Sequence, residues 1–379
     1  MANGAFSTTN PTGTIQQLQT VLNKVVIPKI KENLVYAGGL GGVRKDGDLG
    51  KNLGSLTMRS FKPRAAAKNT GADGAQQIYA MTEGTPNTTQ WSEFDCGQVE
   101  ITLSQIGGKA KVTDIREMVQ LINWTMQVKN GLVDDATLNY DGIVQASLAY
   151  GPGASAAGVA SARAMSGLCS VGAQNGSGFE RFSGVPLTAG SQADFNSLLG
   201  FGTNAQGKAT RVDFALAATQ LFENKVPQVG GRYVATIQHP VMNDLRQDPF
   251  LANAMSHGAM KNDISRNTIA DVDGLNFVLH TNGWRELATY GTNDSTGKIL
   301  SSFILGADAF MAPKLGGTNN PANPSITILA TADKMSDPHN QLKVLVWDAL
   351  FNSACMLTDL TGDVPYHVQL RSRSTFFGA

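Results

Sequence analysis

The spacing of apolar residues changes period several times along the chain. Residues 1–13 are small and polar and read as a mobile arm. Ile15, Leu18, Leu22 and Val25 then recur at helical intervals, predicting a short helix with a narrow apolar stripe, which Pro28 interrupts. Leu56–Phe61 and Val99–Ser104 alternate as strands do. About 35 residues rich in Gly, Thr, Asn and Ala separate them, longer than a compact domain usually tolerates. These features predict a two-stranded ribbon over about Gly47 to Gln105 whose tip projects. Its base lies at the glycine run Tyr36–Ser55, which reads as a hinge because Gly reaches positive φ without strain.

Thr113-Asp114 with Glu117 predicts a helix start. Val128, Leu132, Ala136, Tyr140, Ile143 and Leu148 continue at helical spacing as a long spine, weakened locally by Gly131 and Gly142 and ended by Gly151-Pro152-Gly153. Residues 151–209 have few large apolar side chains and predict an irregular insertion. Thr210 reads as the cap of a helix to about Val226, with Phe214, Ala217, Ala218, Leu221 and Phe222 on one face. Arg232–Ile237 predicts a strand, and His239-Pro240 opens a short helix that Asp248-Pro249 closes. Leu275–Leu279, Ser302–Leu305 and Ile326–Leu329 predict short strands, and Leu342 to about Thr358 a strand system apolar on both faces. Strands and helices mix without strict βαβ alternation, so the fold class is α+β.

Composition narrows the function. The 379 residues carry a formal net charge of zero, and only 16% are charged, so nothing drives the chain as a whole onto nucleic acid or an anionic membrane. Cys96, Cys169 and Cys355 are scattered and odd in number, which argues against a disulfide framework and for a reducing compartment. His239, His257, His280, His339 and His367 never stand four apart, so no helical zinc pair is predicted. The polar N-terminus is not a signal peptide, and Asp348 and Asn352 break the most apolar run before it could span a membrane.

Two glycine runs invite a phosphate-binding reading. A P-loop needs Gly, four residues, then Gly-Lys and a hydroxyl. Gly50-Lys51 has Lys45 where the first Gly belongs and Asn52 where the hydroxyl belongs. The dinucleotide pattern begins at Gly39 and Gly41 but meets Arg44 at its third position. Gly202, Gly207 and Lys208 match the P-loop spacing, but Ala209 supplies no hydroxyl, and Thr210 is better explained as the helix cap. A nucleotide-binding enzyme using Gly202–Lys208 remains a rival reading.

The order of arm, ribbon, spine helix, α+β domain and returning strands resembles the major capsid protein of tailed bacteriophages, the Johnson or HK-ninety-seven-type fold. Local motifs are similar to those of the podophage N-four-like group. They are Thr82-Glu83-Gly84 within Met81–Pro86, the ribbon strand Val99–Gly107, and Val112-Thr113-Asp114 before the spine. The corner His239-Pro240 to Leu245-Arg246-Gln247-Asp248-Pro249, the strand Gly274–Val278 and the segment Ile304–Phe310 fit as well. The likeness covers roughly residues 12–375 and departs at 151–209.

The resemblance implies an N-terminal arm over 1–36, an E-loop ribbon over 37–108, and a spine helix and P-domain over 109–209. It implies an A-domain over 210–335 and return strands over 336–379. It further implies a subunit without catalysis or cofactor that assembles as hexamers and pentamers around double-stranded DNA. The implied location is the virion, after assembly in the host cytoplasm. Implied partners are copies of itself and scaffold, portal and decoration proteins, with no membrane. Thr82, Glu83, Gly84, Trp91, His239, Pro240, Arg246 and Asp248 are the implied assembly positions. An encapsulin-like nanocompartment shell, which shares the fold, is the second rival.

Overall fold

The computed structural model describes residues 34–37, 40, 42–47, 55–61, 96–113, 124–150, 168–175, 178–181, 209–223, 226–248, 273–286, 299–316, 320–330, 342–355 and 366–374. The predicted N-terminal helix, the ribbon tip and the Gly202–Lys208 loop lie outside them.

The organising element is helix α1, Trp124–Tyr150. Its 27 residues span about 40 Å at 1.5 Å per residue. The stripe Leu132, Ala136, Tyr140 and Ile143 is buried, as the spacing predicts. It faces a three-stranded antiparallel sheet in which β13 (Leu342–Phe351) runs between β12 (Ser325–Ala330) and β4 (Ser104–Thr113). Tyr140 stacks on Trp347 at 6.1 Å between ring centroids, meets Phe351 edge-on at 4.5 Å, and donates its hydroxyl to the Ala322 carbonyl at 2.6 Å. The helix and β4 approach so closely that a Cβ on Gly108 would lie 2.2 Å from Asp135 Oδ2 and 2.6 Å from Trp347 Nε1. Those two atoms hydrogen-bond at 2.8 Å, indole N–H to carboxylate, across the space the glycine leaves.

Further along, α1 touches a small sheet ordered β1 (Arg44–Gly47), β11 (Phe310–Pro313), β14 (Ala354–Cys355). Its C-terminal end reaches a seven-stranded sheet. The order there is β6 (Gly178–Arg181), β5 (Leu168–Asn175), β15 (His367–Arg373), β10 (Ile299–Leu305), β7 (Tyr233–Gln238), β8 (Leu275–His280). The short β9 (Arg285–Glu286) also pairs with β10. Residues paired across strands share a face, so the register sorts this sheet into two sides. One side carries Thr236, Gln238, His280, Phe303, His367 and Gln369 and is covered by α1 and the root of the chain at 34–37. The other carries Ala235 and Phe277, and α2 (Arg211–Glu223) packs there, with Phe214 edge-on to Phe277 at 5.4 Å. Helix α3 (His239–Arg246) follows β7 directly, Pro240 sitting in its first turn.

The predicted ribbon strands pair: β2 (Ser55–Phe61) and β3 (Cys96–Thr102) run antiparallel, Leu56 opposite Ile101 and Phe61 opposite Cys96. The cap of α2 also forms as expected. Asp213 Oδ2 accepts from the Thr210 amide at 2.9 Å and hydroxyl at 2.7 Å, while the Asp213 amide donates to the Thr210 carbonyl.

Three expectations are corrected. The stretch 151–209 is not wholly irregular, because β5 and β6 form a hairpin and β5 extends the large sheet parallel to β15. Its small residues hid strands that need a partner's backbone more than bulky side chains. Thr113 ends β4, paired with Leu342, and the helix start expected from Asp114 to Glu117 lies outside the described residues. β13 buries only alternate residues fully, Leu345, Trp347, Ala349 and Phe351. Phe222 points outward, since it lies about 100° from Leu221 around the helix.

The two glycine classes on this framework give opposite outcomes on substitution. Gly131 sits in α1 with open space around its missing Cβ. Gly131→Ala should therefore raise stability by up to about 1 kcal/mol. Gly108→Ala should lower it by about 1–3 kcal/mol, because the carboxylate and indole cannot both move aside and keep their bond. Urea midpoints of the two variants check both signs.

Candidate functional site

Three places on this framework hold chemistry or surface that the core does not consume. The first is where the chain root meets α1. Asp141 is buried in the middle of the helix, and its carboxylate accepts three backbone amides: Val35 at 3.0 Å, Tyr36 at 3.0 Å and Ala37 at 3.1 Å. Burial pushes its carboxyl above the ordinary range, against the pull of the three amides. The fully buried Tyr36 inserts beyond it into the polar side of the large sheet, donating to Thr236 Oγ1 at 2.9 Å and lying 3.1 Å from His280 Nε2. Its ring meets His280 and Phe303 edge-on. Burial raises the phenol well above its usual range. Arg44 donates to the Ala37 and Pro313 carbonyls and pairs with Asp46 at 2.9 Å. The arginine that breaks the dinucleotide pattern is thus a structural clamp.

The second place is the polar layer itself. Gln238 donates to the Trp284 carbonyl at 3.0 Å and accepts from Arg285 Nε at 2.8 Å. Gln369 donates to Ser301 Oγ at 2.9 Å, and Gln145 reaches from α1 to the Asn282 carbonyl at 2.6 Å. His367 Nε2 lies 2.7 Å from the Leu148 carbonyl, which can only accept, so this nitrogen carries the proton. Its Nδ1 is buried with no hydrogen-bond partner among the described residues.

The third is surface. The outer side of α2 is mixed: Val212 and Phe222 are exposed and Ala215 and Leu216 half-buried, beside exposed Thr219 and half-buried Gln220. The one charged residue within Val212–Phe222 is Asp213, which is buried in the cap. Leu138 is also exposed, on α1. Sequence reading missed this stripe by placing Phe222 inside.

The positions singled out from sequence fall in two groups along the chain, at 82–91 and 239–248. Thr82, Glu83, Gly84 and Trp91 lie outside the described residues. His239 is exposed at the start of α3, Pro240 is buried, and Arg246 is half-buried at the other end. Half-buried Asp248 donates its amide to the Leu245 carbonyl just beyond the helix. Ser374 donates to the Pro240 carbonyl at 3.2 Å, so this corner is tied to the last described strand. Thr210, the hydroxyl nearest the P-loop-like run, is committed to Asp213. Among the described residues no group of three His, Cys, Asp or Glu could hold a metal ion, and no helix is long and apolar enough to cross a membrane.

No known family profile matches the chain, and no curated protein matches its sequence. Solved structures do match its shape. The capsid structure of the cyanophage P-SCSP1u is 12% identical, with 86% of each chain covered and a TM-score of 0.52. The acidic stable capsid structure of the Helicobacter pylori bacteriophage KHP30 is 11% identical, covering 88% of this chain and 89% of that one at a TM-score of 0.50. The fold is therefore the Johnson, HK-ninety-seven-type fold of tailed-phage capsid proteins.

His367 makes the folded state acid-sensitive. Burial holds it at about 4, against 6.5 for the free group. The unfolded chain therefore binds the proton first. Its contribution is complete above about 6.5 and is lost as pH falls from there towards 4, at up to about 1.4 kcal/mol per pH unit. His367→Gln keeps an N–H for the Leu148 carbonyl and cannot titrate. Urea midpoints of the variant should decline less than the wild type between neutral pH and about pH 4.5.

Proposed function

We propose that the chain is the major capsid protein of a tailed bacteriophage, a shell subunit that associates with copies of itself as hexamers and pentamers into an icosahedral head around double-stranded DNA. The observation that carries this is the fold, shared across 86% of both this chain and a phage capsid chain. Val212 and Phe222, exposed on α2 among the described residues, support it, since a subunit ringed by copies of itself has a partner for such side chains. Zero net charge suits a wall that encloses DNA without gripping many phosphates.

The narrower reading, an N-four-like podophage, rests on the ordered sequence motifs. Within it Thr82, Glu83, Gly84 and Trp91 belong to the ribbon that reaches a neighbour. Exposed His239, with Arg246 and Asp248 at the far end of α3, borders contacts in the A-domain. Scaffold, portal and decoration proteins are the further partners, and assembly takes place in the host cytoplasm before the protein becomes part of the virion. The role is structural, without cofactor or chemistry. An encapsulin-like compartment would share the shell but fill with protein.

Electron microscopy of the expressed protein should show closed shells. Phe222→Lys places a charge on the outer stripe of α2 and leaves the inner packing of Phe214 and Leu221 alone. It should melt as the wild type does and fail to form shells. A wild type that stays monomeric under all assembly conditions would sink the capsid reading. Normal shells from the variant would remove only α2 from the contact.

A further inference from the structure

We propose that Tyr36 is the bolt of an acid-released latch, in which proton uptake by His280 expels the Tyr36 side chain and frees the root of the chain at 34–37. The hydrogen-bond chain sets the direction of the proton. Thr236 donates its single hydroxyl proton to the Phe303 carbonyl at 3.2 Å, so its oxygen must accept from Tyr36. That uses the only proton Tyr36 has. His280 Nε2, 3.1 Å from the phenol oxygen, must therefore be the donor. The imidazole is fixed as the neutral Nε2–H form. Its Nδ1 is left bare, buried, and without a hydrogen-bond partner among the described residues.

A proton arriving at Nδ1 finds no acceptor among the described residues, and the surroundings oppose the charge. Burial strips its water, and Arg285 of β9 and His239 of α3 both repel it. From the side of α1 the charged group is Asp141, whose carboxylate is already taken by three root amides. His367 and Arg371 lie on β15, further along the same sheet face. The least costly relief is for Tyr36, whose ring packs edge-on against the imidazole at 5.4 Å, to leave and let water reach it. Burial holds His280 at about 3 while the latch is closed. Opening is therefore favoured by every step of acidification below about 6.5, the ordinary value. Asp141 works the other way, since burial raises its carboxyl and the closed form takes up that proton more readily.

The latch does not depend on the capsid reading and is tested on the isolated subunit. Hydrogen exchange of peptides spanning Leu34–Ala37, corrected for the intrinsic effect of pH, should accelerate at least about tenfold between neutral pH and about pH 5. His280→Gln offers Tyr36 an N–H and cannot titrate, so it should abolish the acceleration while leaving Asp141 and His367 in place. Equal acceleration in both proteins, or none in the wild type, would overturn the proposal. A second measurement needs no variant. The imidazole signal of His280, followed by NMR, should shift in step with the loss of protection at 34–37. Protection lost while the ring remains neutral would overturn it as well. Tyr36→Phe, which keeps the ring but cuts the chain of bonds, should already exchange faster at neutral pH, and unchanged protection there would also count against the latch.

Discussion

A carboxylate buried in the middle of a long helix has to be satisfied, and the structure is arranged around how Asp141 meets that requirement. The helix's own amides are committed to its ladder, so the donors must come from elsewhere. They come from a segment more than a hundred positions away in sequence, Val35 to Ala37. An uncompensated buried charge costs several kcal/mol. The root can therefore leave only where water replaces its amides at the carboxylate, and while it is there it carries Tyr36 into the large sheet. One ion thereby joins helix, chain root and sheet into a unit.

The same requirement explains why the two sides of the large sheet differ. The side under α2 is mostly apolar, built on contacts such as Phe214 with Phe277, with buried Ser302 and Ser372 its polar members among the described residues. The side under α1 carries Thr236, Gln238, His280, Ser301, His367 and Gln369, all buried. Apolar packing tolerates a shift of half a residue far better than a hydrogen-bonded network does, because each slipped polar pair leaves two unsatisfied groups. The polar layer thus fixes where helix and root sit on the sheet, while the apolar layer supplies most of the burial that holds α2.

This division also explains what could be read from the sequence. Periodicity found the spine stripe, the strand β7, the paired ribbon strands and the Thr210–Asp213 cap, because those depend on neighbours a few residues away. It missed β15. In His367-Val368-Gln369-Leu370-Arg371 the polar residues face the interior layer, so the usual rule of polar outside points the wrong way. It missed the Asp141 clasp, since an acidic residue in a helix looks like solvent-facing surface until its distant partner is known. Phe222 was misplaced by one residue's rotation, and the surface it marks became visible only when the opposite side of α2 was seen to be full.

Gly42, in the opening run, serves a turn rather than a hinge. The described part of that run is held at both ends: Asp141 grips 35–37, and β1 is paired along its length with β11. Between them Gly42 adopts φ +103°, which side chains rarely adopt, and its carbonyl accepts from the Asp308 amide. That is a fixed turn. The base of the ribbon is seated as well, with Leu56 against Gly47, Ile101 buried, and Asn352 donating to the Thr102 carbonyl at 2.8 Å. A ribbon so anchored can change direction only beyond its packed pairs, or by giving up Leu56 and Ile101 from the core. Any large swing of its base would therefore cost apolar burial, about 1.5–3 kcal/mol for each of those side chains, and would need new contacts to replace it.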